Sequence, residues 1–287
     1  MNKYICIIIS ILLLGSTSCS KEERMPSAPI VGLGGTPHAI TELDRYIHAR
    51  FVAPYNIDVV YRWDPNEASL VRSMTPVDEN KLMDILDIIE IGWLNPYLDV
   101  AGAEFLRKYS FSRFFIGGSG DYTTKDTKTV GVATGGVKIA LYGINDLDMR
   151  DENNFSFYLY ILHHEFAHIL HQTKFFPSEW LNIPGNNQWF TSNWVQTSNS
   201  AAQGQGFVRN YAKMSAEEDF VETISFLLVN GQDAYDKLKL DNPAYADIYK
   251  KKEDIVTKFY KDAVGIDFKV LQSKVHASVQ TLLSLNK

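Results

Sequence analysis

The pattern that decides the fold lies in Leu162-His163-His164-Glu165-Phe166-Ala167-His168-Ile169-Leu170-His171. At about 100° per residue, His164 and His168 fall about 40° apart on one face of a helix. Leu162, Phe166 and Ile169 fall on the opposite face, where they can pack against a core. The pattern therefore predicts an amphipathic helix that is anchored by its apolar side and presents two converging imidazoles on the other.

Two imidazoles at this spacing are typical of a zinc site. Neutral nitrogens four residues apart can bind one Zn²⁺ at about 2.0–2.1 Å, and Glu165 is offset so that it lies beside the metal. Zinc lowers the pKa of a bound water toward about 7, so a neighbouring carboxylate can take its proton. We predict His164 and His168 as ligands and Glu165 as the base. His171 is expected behind the ligands or facing solvent, and His163 in packing or on the surface.

A catalytic zinc also needs a third protein ligand and keeps its fourth position open. The continuation His-x-x-Gly-x-x-His is absent here, so the ligand must come from elsewhere. A second amphipathic pattern begins near Ser215 and places Glu218 and Glu222 on one face. We predict that Glu218 binds zinc and that Glu222 steadies a ligand imidazole through its far nitrogen. Ser215-x-x-Glu218 is also a capping box, so Glu218 could instead serve only the helix start.

Strand and helix patterns are mixed in the first half of the chain, whereas the second half is almost wholly helical. Strands are predicted at 57–61, 114–116 and 137–142, and helices at 40–51, 80–91, 244–263 and 267–285. This order predicts an α+β fold in residues 38–287, with a small mixed sheet within 38–150 and a helical part over 151–287.

The segment between residues 174 and 206 is rich in Asn, Gln, Ser and Gly but contains Trp180, Trp189 and Trp194. This combination suits either an ordered loop over a cleft or a packed surface excursion that tryptophans anchor. The formal net charge is -6, and no run of Lys or Arg is present. Because phosphate binding needs clustered positive charge, a nucleic-acid partner is excluded.

The N-terminus has the features of an export signal. Residues 1–18 combine Lys3, a short apolar run and small residues, and Cys19 follows them directly. Cys19 is the only Cys beyond this segment, so we predict that it carries lipid; an ordinary signal cleaved nearby is the alternative. Residues 19–37, with Pro and Gly, are predicted to be a flexible tether. Residues 20–23 resemble the acidic tag of surface lipoproteins of the Bacteroides group, or they are simply a charged linker.

Two sets of residues carry a family resemblance. The motif at 164–168 with Glu-Asp-Phe-Val-Glu at 218–222 resembles the gluzincin branch of zinc peptidases. Residues 54–63, residues 100–102 and the metal helix resemble the substrate import-associated zinc metallohydrolase lipoproteins of the Bacteroides group, over nearly the whole chain after the signal. The resemblance implies a zincin-like fold with one Zn²⁺, a base and three ligands at the positions named above, and Tyr211 as a donor to the oxyanion.

The leading functional hypothesis is a peptidase that acts on extracellular or periplasmic peptides or proteins. In zincins an edge strand near the metal pairs with the extended substrate, and residues 137–142 are our candidate for that edge strand. The resemblance implies an outer-membrane lipoprotein, held by its N-terminal lipid, exposed at the cell surface or facing inward, and linked to a nutrient-uptake porin complex. A second hypothesis is a binding or assembly lipoprotein of such a complex, in which a fourth protein ligand closes a structural zinc site. Hydrolysis of another amide or ester is a third.

Overall fold

The computed structural model describes residues 39–62, 74–124, 127–129, 131–134, 137–183, 185, 189 and 194–285, with the backbone alone for 121–134. The predicted signal (1–18), the lipidated Cys19 and the tether (19–37) lie outside the described residues. From Ile40 onward the chain forms one compact unit.

The first three helices precede and follow the first strand along the chain. Helix α1 (Glu42–Ile47) continues through a π-helical turn (His48–Val52) and a last turn (Ala53–Tyr55). Helix α2 (Glu79–Asp87) continues through a second π-helical segment (Ile88–Leu94), and α3 (Asn95–Tyr109) follows it directly. Helix α1 begins at a capping box, in which Thr41 and Asp44 bond each other's backbone N–H. The helices predicted at 40–51 and 80–91 are confirmed, whereas α3 had not been predicted.

The main sheet has four strands in the order β1, β2, β6, β5. The strands of the structure are β1 (Asp58–Val60), β2 (Arg113–Ile116), β3 (Asp121–Thr124), β4 (Thr127–Thr129), β5 (Gly131–Thr134) and β6 (Lys138–Leu141). Strands β1, β2 and β6 are parallel, and β5 pairs antiparallel with β6. Strands β3 and β4 form a separate antiparallel pair. The three predicted strands and the mixed small sheet are confirmed.

The prediction that residues 137–142 form an edge strand is wrong. Strand β6 lies between β2 and β5, so both of its backbone edges are already paired. In the described part of the chain the edge on that side is β5, which runs against its neighbour. Four residues between glycines are too short to show an alternation of apolar and polar side chains, so the sequence pattern did not reveal this strand.

The second half is helical, and the α+β class is confirmed. Its helices are α4 (Glu152–Lys174), α5 (Asn199–Gln203), α6 (Ala216–Val229), α7 (Gly231–Asp241), α8 (Ala246–Phe259) with a π-helical end (Tyr260–Val264), and α9 (Phe268–Leu285). Short 3₁₀ turns at Ser178–Asn182, Trp194–Gln196 and Asn210–Lys213 lie between α4 and α6. Within the described residues, every helix is too short or too polar to span a membrane.

An aromatic cluster fixes the position of α4. The ring of Phe166 packs edge-on against Trp93 and Tyr97, with centroids 5.2 and 4.8 Å apart, and all three side chains are fully buried. Truncating such a side chain to Ala costs about 3–5 kcal/mol. Phe166 lies on the side of α4 opposite His164 and His168. Its packing therefore determines the direction in which these two imidazoles point.

A buried ion pair fixes the start of α6. The carboxylate of Asp219 lies 2.7 Å from Nζ of Lys252 and accepts a hydrogen bond of 3.1 Å from the indole N–H of Trp180, and all three side chains are fully buried. Lys252 also donates to the carbonyl of Gly206 at 2.8 Å. Trp180 therefore anchors the segment between α4 and α6 to the core, as the packed-excursion interpretation expected. Asp219 is the neighbour of Glu218, so these contacts also set the orientation of the predicted ligand.

Candidate metal centre

Helices α4 and α6 pack together and bring three predicted ligands to one point. The Nε2 atom of His164 lies 3.2 Å from Oε2 of Glu218, and Nε2 of His168 lies 3.5 Å from the same oxygen. Helix α4 begins at Asp151, whose side chain accepts the N–H of Asn153, and it contains no Gly or Pro that would interrupt it before Lys174. The long uninterrupted helix keeps the two imidazoles in register on one face.

The start of α6 distinguishes the two roles considered for Glu218. The hydroxyl of Ser215 accepts the backbone N–H of Glu218 at 3.2 Å, which is half of a capping box. The other half would need the Glu218 carboxylate to accept the N–H of Ser215, and no such bond occurs in the described structure. The carboxylate instead points at the two imidazoles. The helix start therefore uses the backbone of Glu218 and leaves its side chain for the site.

These three residues fit a zinc ion. Oε2 of Glu218 is buried and has no hydrogen-bond partner among the described residues, which is costly unless a cation takes that place. Ligand atoms about 2.0–2.1 Å from a tetrahedral zinc are about 3.3 Å from one another. The observed separations of 3.2 and 3.5 Å agree with this value. In the described part of the chain, His164, His168 and Glu218 form a group whose ligand atoms all lie within 4.8 Å of one another.

The electrostatics of the site also favour a cation. Burial by itself would raise the pKa of Glu218, but the two imidazoles outweigh it and lower that pKa to about 2. Burial would likewise lower the pKa of His164, yet the carboxylates of Glu218 and Glu222 raise it to about 10. Without a metal, the cluster therefore holds a proton between its carboxylates. Zinc would take the place of that proton when it binds.

Glu222 lies behind His164, where the sequence predicted it. Its Oε1 is 2.8 Å from Nδ1 of His164, which is within hydrogen-bonding distance, but the angle between the two groups is too bent for a hydrogen bond. Arg209 donates a hydrogen bond to each carboxylate oxygen of Glu222, one from Nη2 at 2.7 Å and one from Nε. The hydroxyl of Tyr160 donates to the second oxygen at 2.7 Å. Burial would raise the pKa of Glu222, but His164 and Arg209 lower it, so this fully buried carboxyl stays ionised.

The structure decides between the alternatives for the two remaining histidines of the motif. His171 is buried behind His168, with its Nε2 atom 3.0 Å from Nδ1 of His168, so it does not face solvent. Its pKa is lowered to about 4 by burial and by His168. His163 is fully buried and packs in the core, with Nε2 3.3 Å from the carbonyl oxygen of Gly92. Burial lowers the pKa of His163 to about 3.

Glu165 and Tyr211 flank the cluster. Glu165 is half-buried and makes no hydrogen bond or salt bridge to any described residue. Burial raises its pKa, against the opposing effect of the two ligand imidazoles. The ring of Tyr211 is 5.9 Å from that of His164, and Trp194 packs edge-on against it at 4.8 Å. Trp194 therefore borders the site through Tyr211.

Sequence reasoning missed two side chains of the site, Arg209 and Tyr160. Arg209 lies in a loop without periodicity, so no local pattern marked it. Tyr160 occupies the metal helix one turn before His164, and its position could have been noted, but its partner Glu222 is 62 residues away. A buried carboxylate such as that of Glu222 needs a cation or a hydrogen-bond donor beside it. That requirement was the only signal in the sequence that residues such as Arg209 and Tyr160 would be found there.

Comparisons with known proteins agree with this geometry. A family model described as "Putative zinc-binding metallo-peptidase" matches residues 36–269. A crystal structure described as a putative zinc-binding metallo-peptidase from Bacteroides caccae ATCC 43185 is similar, with 28% identity and a TM-score of 0.73 over 86% of this chain and 97% of that chain. No curated protein sequence matches significantly. The expected family and its single Zn²⁺ are thus supported, and the chain belongs to this family of zinc-binding metallo-peptidases.

Proposed function

We propose that the protein hydrolyses peptide bonds, with His164, His168 and Glu218 as the ligands of one catalytic zinc. When bound there, zinc supplies Lewis acidity that makes water acidic and polarises a carbonyl. Glu165 takes the proton from the attacking water and passes it to the leaving nitrogen. In this arrangement three residues bind the metal, Glu165 moves the proton, and the third carboxylate of the site, Glu222, orients His164.

The observation that supports the proposal most strongly is the environment of the Glu165 side chain. Its carboxylate is half-buried, is close enough to the ligands to interact electrostatically with them, and makes no hydrogen bond or salt bridge to a described residue. The carboxylates of Glu218 and Glu222, in contrast, both face imidazoles. A purely structural zinc gives such a group no task and would be closed by a fourth protein ligand. The group of metal-ligating atoms has three members among the described residues. Both facts favour catalysis over the assembly hypothesis.

Tyr211 suits the role of donor to the carbonyl oxygen as that oxygen gains negative charge. Burial raises the pKa of its phenol, so the hydroxyl stays protonated and can donate at neutral pH. No hydrogen bond to a described residue occupies it. Trp194 packs edge-on against the ring, and the guanidinium of Arg209 lies 5.7 Å from the ring centroid, so both contacts restrict its position.

Strand β5 replaces β6 as the proposed docking edge for the substrate. Strand β5 lies at the edge of the sheet, runs antiparallel to β6 and is close to α4. An extended peptide added to this edge would use backbone hydrogen bonds, which position a peptide bond irrespective of its side chains. Peptide or protein substrates fit this arrangement better than small esters, which lack a backbone to pair.

The cellular setting is also part of the proposal. We infer that lipid on Cys19 holds the protein at the outer membrane, where the products of hydrolysis could be passed to a nutrient-uptake porin. The support comes from the sequence alone: Cys19 is the sole Cys after the signal-like segment, and a Pro- and Gly-containing stretch separates it from the folded unit.

The decisive experiment compares Glu165→Gln with the unchanged protein. Gln keeps the shape of the side chain but cannot accept a proton, so the variant should fold, bind one zinc and lose nearly all cleavage of a peptide library read by mass spectrometry. Glu217→Gln, an exposed neighbour of the ligand, is the matched control and should cleave normally. Cleavage by Glu165→Gln at the rate of the unchanged protein, or a zinc-loaded protein that cleaves no peptide, would contradict the proposal.

A further inference from the structure

The imidazole of His171 has a contact that nothing in the proposed chemistry uses. It lies one turn beyond His168, is 5% exposed, and places Nε2 3.0 Å from Nδ1 of His168. Phe176 and Phe220 pack edge-on against its ring, with centroids 5.7 and 6.2 Å away. Among the described residues, His168 is the one hydrogen-bond partner of the His171 ring.

The direction of the hydrogen bond follows from the metal site. His168 turns Nε2 toward Glu218, at 3.5 Å from its oxygen, so Nε2 must present a lone pair to the metal and Nδ1 must carry the hydrogen. That N–H can only donate, so Nε2 of His171 is the acceptor and its own hydrogen resides on Nδ1. The contact thus sets the tautomer of both rings when the zinc site is formed.

We propose that His171 is a positioning residue that holds His168 in the orientation and tautomer that bind zinc. Glu222 faces His164 in the corresponding place, but the two partners differ in charge. Glu222 is an anion balanced by Arg209, whereas His171 accepts as a neutral ring. A carboxylate behind His168 would add a further negative charge beside Glu165 and Glu218. A neutral acceptor orients the ring without that repulsion. The inference rests on zinc binding and does not depend on hydrolysis.

A packing role is the competing explanation, because a buried ring between two phenylalanines could merely fill space. The two roles predict opposite rankings for a pair of variants. In His171→Phe the ring and its aromatic contacts are kept but the acceptor is lost. In His171→Gln the amide oxygen can reach the place of Nε2 and accept the same N–H, while the ring packing is lost.

The test measures zinc affinity of the purified protein by competition with a chromophoric chelator, and measures the thermal unfolding of the metal-free form separately. We expect His171→Phe to bind zinc about 10–100-fold more weakly, as is typical when the partner of a ligand imidazole is removed, with its metal-free unfolding little changed. His171→Gln should stay within about threefold of the unchanged protein, whatever its stability. His171→Leu, which also lacks an acceptor, repeats the test if Phe does not fold.

Phe176→Leu is the matched control, because it loosens the packing around His171 and leaves both imidazoles intact. Its metal-free form should be less stable, with zinc affinity close to normal. Normal zinc affinity in His171→Phe, or an equal loss in the Gln and Phe variants, would overturn the proposal in favour of packing. Because neither readout involves a substrate, a protein that proves not to be a peptidase would leave this test unaffected.

Discussion

Glu222→Gln is the change from which the structure allows the most detailed expectation. Glu222 is fully buried and interacts with three side chains: Nδ1 of His164 at 2.8 Å, Nη2 of Arg209 at 2.7 Å and the hydroxyl of Tyr160 at 2.7 Å. Gln removes the negative charge and turns one acceptor oxygen into an NH₂ group. The guanidinium of Arg209 can only donate, and it bonds both oxygens of Glu222, so the new NH₂ group faces a donor whichever oxygen it replaces.

The magnitude follows from the burial of the partners. Removing one member of a fully buried ion pair costs about 3–5 kcal/mol, because the other charge is left uncompensated. The side chain of Arg209 is 32% exposed and can be partly hydrated, so we expect a loss of about 2–3 kcal/mol in the free energy of unfolding. In a unit of this size that is a fall in Tm of about 4–12 °C. Zinc affinity should fall about 10–100-fold, because His164 loses the group that orients it.

Urea denaturation and chelator competition measure the two quantities on the same sample. Glu217→Gln provides the control, because Glu217 is exposed on the same helix and its replacement should change stability by less than about 0.5 kcal/mol. The reasoning fails if Glu222→Gln binds zinc as tightly as the unchanged protein, since Glu222 would then have no part in orienting His164.

Three other changes have clear expected results. Glu218→Ala should weaken zinc binding by more than the roughly 10–100-fold typical of groups behind a ligand, while Glu217→Ala should leave it normal; equal effects in the chelator titration would mean that the ligand is assigned wrongly. Cys19→Ala should release the protein from membranes or block its maturation, and fractionation of cells that retain the variant in the membrane would exclude lipid on Cys19 as the anchor. Arg62 donates to Asp44 at 2.6 and 3.0 Å and holds the pKa of Asp44 well below its usual range. A carboxyl with a lowered folded-state pKa stabilises the fold fully above its unfolded pKa and progressively less as the pH falls toward its folded pKa, so Asp44→Asn should cost about 1 kcal/mol at pH 7. The difference should shrink as the pH falls from about 4, and a pH-independent difference in urea denaturation would contradict the assignment.

The amino-acid sequence was sufficient to select the three candidate ligands and Glu222, which the structure brings together. His164 and His168 depend only on the period of one helix, and Glu218 and Glu222 on that of another, so local geometry placed each pair on a single face. The α+β class followed from the order of strand and helix patterns, which is also a local property. The chemical roles of these residues stay predictions that the variants above will test. So do the signal and the lipid on Cys19, which the N-terminal sequence alone supports.

The tertiary structure decided everything that depends on contacts between distant segments. Arg209 and Tyr160 meet Glu222 only because α4 and α6 dock, and no period in the chain records that meeting. The edge of the sheet belongs to β5 because strand order is set by pairing across the fold, which the pattern of a single strand does not contain. The same holds for the alternatives at Glu218 and His171. The sequence pattern of each side chain allowed two surroundings, and the packing of the helices determined which one it has.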